Sequence, residues 1–337
     1  MADENERAAE APGPELIERI ASGFMSAKQL FAAEEIKLFE KLAPGAATAA
    51  ELAERCGVPV HCVRVVANAM VALELLRLEG ERYALMPVSA TYLSGQTSAD
   101  MRPALRFFDR ISYLIWARYG ETVKSGHGVM TGATLSDEQN EIFVLGVQAF
   151  VTTAARQLAA RVDFGAHRRV LDLSAGAGSF VVPAVLERHP HLSATLVDQP
   201  QVVEQARARF AASPLRDRVE LVEGDLWFDA LPAGHDAVTM AHVLHLFSPE
   251  HNVRLLRRVR EQVAPGVRLY LVDYWTDPTH TEPFFAALMG GEFLVWTGEG
   301  RVYSVDEMRG LLDQAGWHFV DHCPLQGPTS LIAAAAA

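Results

Sequence analysis

Cysteine is scarce in this 337-residue chain: Cys56, Cys62 and Cys323 are the only three. Their spacing fits neither a disulfide framework nor a zinc pattern, so they read as small buried hydrophobes. Half of the residues are apolar, yet no uninterrupted apolar run is long enough to span a bilayer. The amino terminus, 1–14, is acidic and rich in Ala, Glu and Pro. It lacks the basic-then-apolar order of a secretion signal, so a loose tail on a cytoplasmic protein is expected. Positive charge is also short. Thirty Lys and Arg against 42 Asp and Glu leave a net charge of -12, which argues against a polyanion as main partner.

The length suits about two domains with ample core. Residues Glu15–Leu42 read as helical, with Ile17, Ile20, Phe24, Leu30, Phe31, Ile36 and Phe39 at roughly helical spacing. Ala47–Ala53 opens a second helix, with Thr48 as cap and Glu51 three residues on, and Gly57-Val58-Pro59 breaks it. A further helix over Val60–Leu76 and a hairpin over Leu78–Leu85 complete a winged-helix arrangement. A DNA-reading helix needs basic and polar side chains. This one offers His61 and Arg64, then Val65, Val66, Ala67, Ala69, Met70, Val71 and Leu73, so a homodimer interface is the better reading. Residues 101–165 form a helical bridge. Its aromatic density makes it the expected wall of an apolar substrate pocket, with Phe107, Trp116, Phe143 and Phe150 as lining candidates.

The stretch Val170-Leu171-Asp172-Leu173-Ser174-Ala175-Gly176-Ala177-Gly178, followed by Leu196-Val197-Asp198, reads as strand, small-residue loop, helix, strand, acid. Gly176 and Gly178 let the backbone turn sharply and a ligand approach closely. The helix, roughly Ser179–Arg188, points its amino end at that ligand, and Asp198 can accept both hydroxyls of a ribose. The expected ligand is a nucleoside held by backbone and ribose contacts. Beyond Arg169 the chain alternates strand and helix, with strands expected at 169–173, 194–198, 219–223, 236–241, 269–274, 317–322 and 330–334. The fold class is α/β, a doubly wound sheet. The closing Ala333–Ala337 run carries little information by itself.

Three sites follow Asp198. Glu223-Gly224-Asp225-Leu226-Trp227 ends the third strand; Asp225 there could take an exocyclic amine or merely cap a turn. His242 and His245 follow the fourth strand, where ligands bind in open α/β sheets. They could bind a metal, but no third ligand stands at usual spacing, so none is expected. A histidine could instead take a proton from a hydroxyl, with Asp273 at the end of the fifth strand holding its ring in the right tautomer.

The order D-x-S-x-G-x-G resembles motif I of class I S-adenosylmethionine-dependent methyltransferases, usually D-x-G-x-G-x-G, with Ser174 in place of the first glycine. From about residue 20 to 334 the chain resembles the two-domain small-molecule O-methyltransferases, which include caffeate, polyketide and phenazine enzymes. The resemblance implies a Rossmann-like methyltransferase sheet over 166–337 and a winged-helix dimerisation domain over 1–100. It implies S-adenosylmethionine held by Asp172, Ser174, Gly176, Gly178, Asp198 and Gln199, then Gly224, Asp225, Leu226 and Ala241, with Met289 joining the substrate pocket. The family's H-D-W-x-D-E segment corresponds to His245-Leu246-Phe247-Ser248-Pro249-Glu250, placing the catalytic base on His245. Its first orienting acid falls on Asp273. Its second falls near Gly300 and is missing unless Glu299 reaches the site. The implied activity is methylation of a phenolic or enolic hydroxyl on a specialised metabolite. Methylation of carbon, nitrogen or sulfur stays open, as does a hydroxylase, decarboxylase or pericyclase that keeps the cofactor.

Overall fold

The computed structural model describes residues 13–130, 135–177, 181–325 and 327–337. The chain divides into two compact units, one up to Leu105 and one from Arg106 onward. The segment read as a bridge, 101–165, does not stand apart: nearly all of it packs within the second unit.

In the first unit, the helical run over Glu15–Leu42 is three helices, Glu15–Ala21, Gly23–Glu35 and Leu38–Leu42. Lys37 adopts a left-handed conformation (φ 57°) that ends the second of them, a turn the apolar spacing did not reveal. Thr48 and Glu51 form the expected capping box: the Thr48 amide donates to Glu51 (2.7 Å) and the Glu51 amide to the Thr48 hydroxyl (3.3 Å). Helices Ala49–Cys56 and Val60–Ala72 follow, then the hairpin Leu76–Glu79 and Arg82–Leu85, which pairs with Ala47–Thr48 into a three-stranded sheet. Leu38, Phe39, Leu52, Val63 and Met70 form its core. Ile17 (73% exposed), Ile20 (70%) and Val65 (62%) stay outside it. Cys62, expected inside, is exposed.

The main sheet of the second unit has, among the described residues, seven strands, in chain order β1 Arg169–Leu173, β2 Ser193–Asp198, β3 Val219–Glu223, β4 Ala237–Ala241, β5 Arg268–Asp273, β6 Trp317–Pro324 and β7 Ser330–Ala336. They lie in the order β3-β2-β1-β4-β5-β7-β6. All are parallel except β7, which runs antiparallel to both neighbours. Side chains alternate in strand fashion. Leu171, Leu173, Val238 and Met240 pack on one face with helices Pro249–Glu261 and Val305–Gln314, while Val170, Ala194 and Leu196 pack on the other with helix Val182–Arg188 and the end of helix Asp137–Arg161. The alanine run is structural: Ala333–Ala336 belong to β7, whose backbone fills the gap between β5 and β6. Among the described residues no single helix is long and apolar enough to cross a membrane.

The strand order reverses at β1, which has β4 on one side and β2 on the other. The carboxyl ends of these strands therefore flank the crevice where open α/β sheets bind ligands.

Candidate active site

A cavity of about 370 Å³, within the range of small-molecule sites, opens at the carboxyl ends of β1, β2, β4 and β5. Ser174, Gly176 and Asp198 form one part of its wall, Ala241, His242 and His245 another, and Phe107, Phe143, Phe150 and Met289 much of the rest. The loop after β1 turns through two left-handed residues, Ser174 (φ 54°) and Gly176 (φ 69°). The first of these is where the motif usually has glycine, and serine there costs about 1 kcal/mol of backbone strain.

Asp198 ends β2. One carboxylate oxygen accepts the Gly176 amide and the other the Gln199 amide, both at 2.8 Å. Each bond leaves lone-pair capacity, since a carboxylate offers about four acceptor sites. Burial pushes the Asp198 carboxyl above its ordinary range, and the two amides pull against that rise. The Gly224 amide donates to the Asp198 carbonyl (2.9 Å), tying the turn after β3 to the same place.

The other sequence candidates are placed differently. Asp172 is buried on the sheet face opposite Leu171, accepting the Thr239 hydroxyl at 2.6 Å, and is not on the cavity wall. Asp225 accepts the Trp227 amide at 2.7 Å, so one oxygen caps its own turn, and the other is 3.5 Å from the Gln199 side-chain amide. Gln199, Gly224, Asp225 and Leu226 thus cluster beside the cavity without lining it. Gly178 and the expected helix start at Ser179 lie outside the described residues; the helix is described from Val182. Trp116 backs the cavity rather than lining it.

His245 sits in a 3-10 turn, Leu244–Leu246, just beyond β4. Its Nδ1 is 2.6 Å from Asp273 Oδ1, and its ring stacks on Phe293 with centroids 3.6 Å apart. Asp273, 2% exposed, also accepts the Tyr274 amide at 2.9 Å. Burial works to raise its carboxyl, but His245 beside it, His242 and the Tyr274 amide together outweigh that and hold it low. His242 Nδ1 lies 3.8 Å from the same oxygen. His242, His245 and Asp273 therefore bring together the three-ligand set that the sequence did not reveal. A zinc ion with ligands about 2.0–2.2 Å away keeps those ligands roughly 3 Å or more apart. The 2.6 Å contact is a hydrogen bond and leaves no place for an ion between the pair.

Glu299 pairs with His251 (3.2 Å) on the surface and does not reach the cavity. Nor can an acid stand at 300. A Cβ on Gly300 would meet the Phe293 carbonyl oxygen at 2.7 Å, so the chain here requires glycine. Sequence reasoning missed Glu292, a buried acid on the cavity wall. Its signal was available, because it is the only charged residue in helix Phe284–Thr297.

Burial drives His242 down to about 4, a shift that Asp273 opposes and His245 reinforces. The unfolded chain takes up this proton near pH 6.5, while the folded one refuses it until about pH 4. Stability contributed by the neutral ring is present above pH 6.5 and lost as pH falls through that window, at up to about 1.4 kcal/mol per pH unit. His167, His235 and His322 are also lowered by burial and act in the same direction. His242→Asn, which tolerates the left-handed backbone at φ 58°, should flatten the decline between pH 6.5 and 4.5 by up to one proton's worth. Urea denaturation across that range checks it; an unchanged slope would mean His242 is not a buried neutral ring.

An O-methyltransferase domain model matches residues 117–318, and an O-methyltransferase dimerisation domain model matches 18–95. The chain is 33% identical to 3-hydroxy-5-methyl-1-naphthoate 3-O-methyltransferase of Streptomyces sahachiroi, over 90% of this chain and 89% of that one. It is 28% identical to the N,N-dimethyltransferase OxyT of Streptomyces rimosus, over 89% of each. The crystal structure of human N-acetylserotonin methyltransferase in complex with SAM shares its fold. The TM-score is 0.88 over 98% of this chain and 99% of that one, at 24% identity. With more than half its length matched to the catalytic domain and its amino-terminal part to the dimerisation domain, the chain belongs to the S-adenosylmethionine-dependent O-methyltransferase family.

Proposed function

We propose that this enzyme methylates a phenolic or enolic hydroxyl of a small specialised metabolite, with His245 as general base and Asp273 as the acid that orients it. One observation carries the reading: His245, held 2.6 Å from the buried Asp273, stands on the wall of the same cavity as Ser174, Gly176 and Asp198.

The residues present fit S-adenosylmethionine. Asp198 keeps acceptor capacity on both oxygens for two ribose hydroxyls, and the Gly176 turn admits close approach of a ligand. The cofactor supplies a methyl group already activated on sulfonium, so alignment of the nucleophile carries much of the rate. His245 uses its Nδ1–H to hold Asp273, which leaves Nε2 as the acceptor for the hydroxyl proton. Asp273 then stabilises the imidazolium that forms. Phe293 stacked on the ring fixes its plane, and the apolar wall keeps water from the reacting oxygen. The likeness to OxyT supports a second reading, in which the acceptor is an amine and His245 takes its proton.

The active form in this reading is a homodimer joined through the dimerisation domain, which would cover Ile17, Ile20 and Val65. Light scattering at micromolar concentration should give twice the mass of the chain, and a monomer mass would count against it. Asp198→Ala should weaken S-adenosylmethionine at least tenfold by calorimetry, since two hydroxyls lose a charged acceptor, a loss of about 1.5–3 kcal/mol. Unchanged affinity in a folded variant would mean the ribose lies elsewhere. His245→Ala should cut turnover about 10²–10⁴-fold with cofactor affinity near normal, and Asp273→Asn should cost less because the ring remains. Full turnover by the His245 variant on the true acceptor would remove it as base.

A further inference from the structure

Glu292 is 6% exposed and lies in the wall of an otherwise largely apolar cavity. Oε2 accepts the Ser112 hydroxyl at 2.9 Å and the Trp116 indole N–H, while Oε1 accepts the Trp296 indole N–H at 2.9 Å. An indole N–H can only donate, so this nest is built for an ionised carboxylate. Among the described residues the partners found for it are these three neutral donors. A buried charge without a counter-charge is retained at a cost, even when neutral donors share it. Three donors fill three of about four acceptor sites, which leaves one for a ligand in this cavity.

Phe293, the next residue, stacks on His245. Consecutive residues of one helix therefore set the base and this carboxylate, so a group bound at Glu292 stands at a fixed place relative to the hydroxyl facing His245. We infer that Glu292 determines acceptor specificity: it selects aromatic acceptors carrying a second hydrogen-bond donor, hydroxyl or amino, and turns away those with a carboxylate at that position. The S. sahachiroi relative is named for a naphthoate; the cavity here disfavours an anion facing Glu292. This rests on the cavity being the acceptor site of the proposed methyl transfer.

The test uses four naphthalene acceptors that share one methylatable hydroxyl and carry hydrogen, hydroxyl, amino or carboxylate at a second ring position. Affinity is measured by calorimetry with S-adenosylhomocysteine present, and kcat/KM with S-adenosylmethionine. The wild-type protein should bind the hydroxyl and amino members about tenfold to a hundredfold more tightly than the hydrogen member, because a hydrogen bond to a buried charge is at stake. The carboxylate member should bind most weakly. In Glu292→Gln the donor preference should fall below threefold and the carboxylate member should gain at least tenfold relative to the others, with cofactor affinity unchanged. A merely structural role would weaken all four alike. The wild-type panel decides the matter even where the variant fails to fold: equal binding of all four, or binding of none, overturns the inference. Selective binding without turnover would leave the role of Glu292 standing and sink the proposed transfer to a hydroxyl facing His245, whereas turnover without selectivity would do the reverse.

Discussion

Asp273 ends β5 inside the protein, and a charge there persists only because its partners are brought to it. Parallel pairing of β4 with β5 sets Ala241 opposite Val272, and the His242 amide donates to the Val272 carbonyl at 2.8 Å. That register delivers the turn carrying His245 to the Asp273 carboxylate. On the far side β7 pairs Ser330 with Asp273, closing the edge that would otherwise admit water. The Arg301 amide donates to the His245 carbonyl (2.9 Å), and Phe293 covers the ring. One buried carboxylate thus orders two loops and a helix around itself.

Three acids lie at or beside this cavity, and each is held by a different set of donors. Asp198 has backbone amides and stands above its ordinary range through burial. Asp273 has a histidine, which holds it below. Glu292 has two indoles and a hydroxyl. In the proposed reading these are a ribose acceptor, a base orienter and an acceptor selector, and together they make a negative surround suited to a cationic sulfonium. Strain gathers in the same place. Ser174 and His242 both hold left-handed backbone, at φ 54° and 58°, and both line the cavity, as strained residues tend to do at functional sites.

Much was legible in the sequence because it rests on local chemistry. Strand positions followed from short apolar runs bounded by small residues, and all seven expected strands are present within one or two residues at most boundaries. Thr48 with Glu51 announced a helix start through a bond that spans three residues. His245 and Asp273 could be named because each sits at a strand's carboxyl end, where topology brings polar groups to a crevice.

Other features depended on distant partners. Whether Asp225 faced a ligand or its own turn was decided by the Trp227 amide, and a sequence permits both. Asp172 stands in the motif, and one of its oxygens accepts from Thr239, a neighbour supplied by the β1–β4 register. Glu299 could have supplied the second acid by position, but the helix end packed against Gly300 directs it to His251. Glu292 acquires its meaning only from Ser112 and Trp116, about 180 positions away along the chain. The sequence alone determined the strands of the main sheet, the doubly wound class and the chemical types at the strand ends, since these follow from periodicity and side-chain chemistry. Which carboxylate meets a histidine, which an indole and which its own backbone was decided only by tertiary packing, because a buried charge is defined by the donors that the rest of the chain places around it.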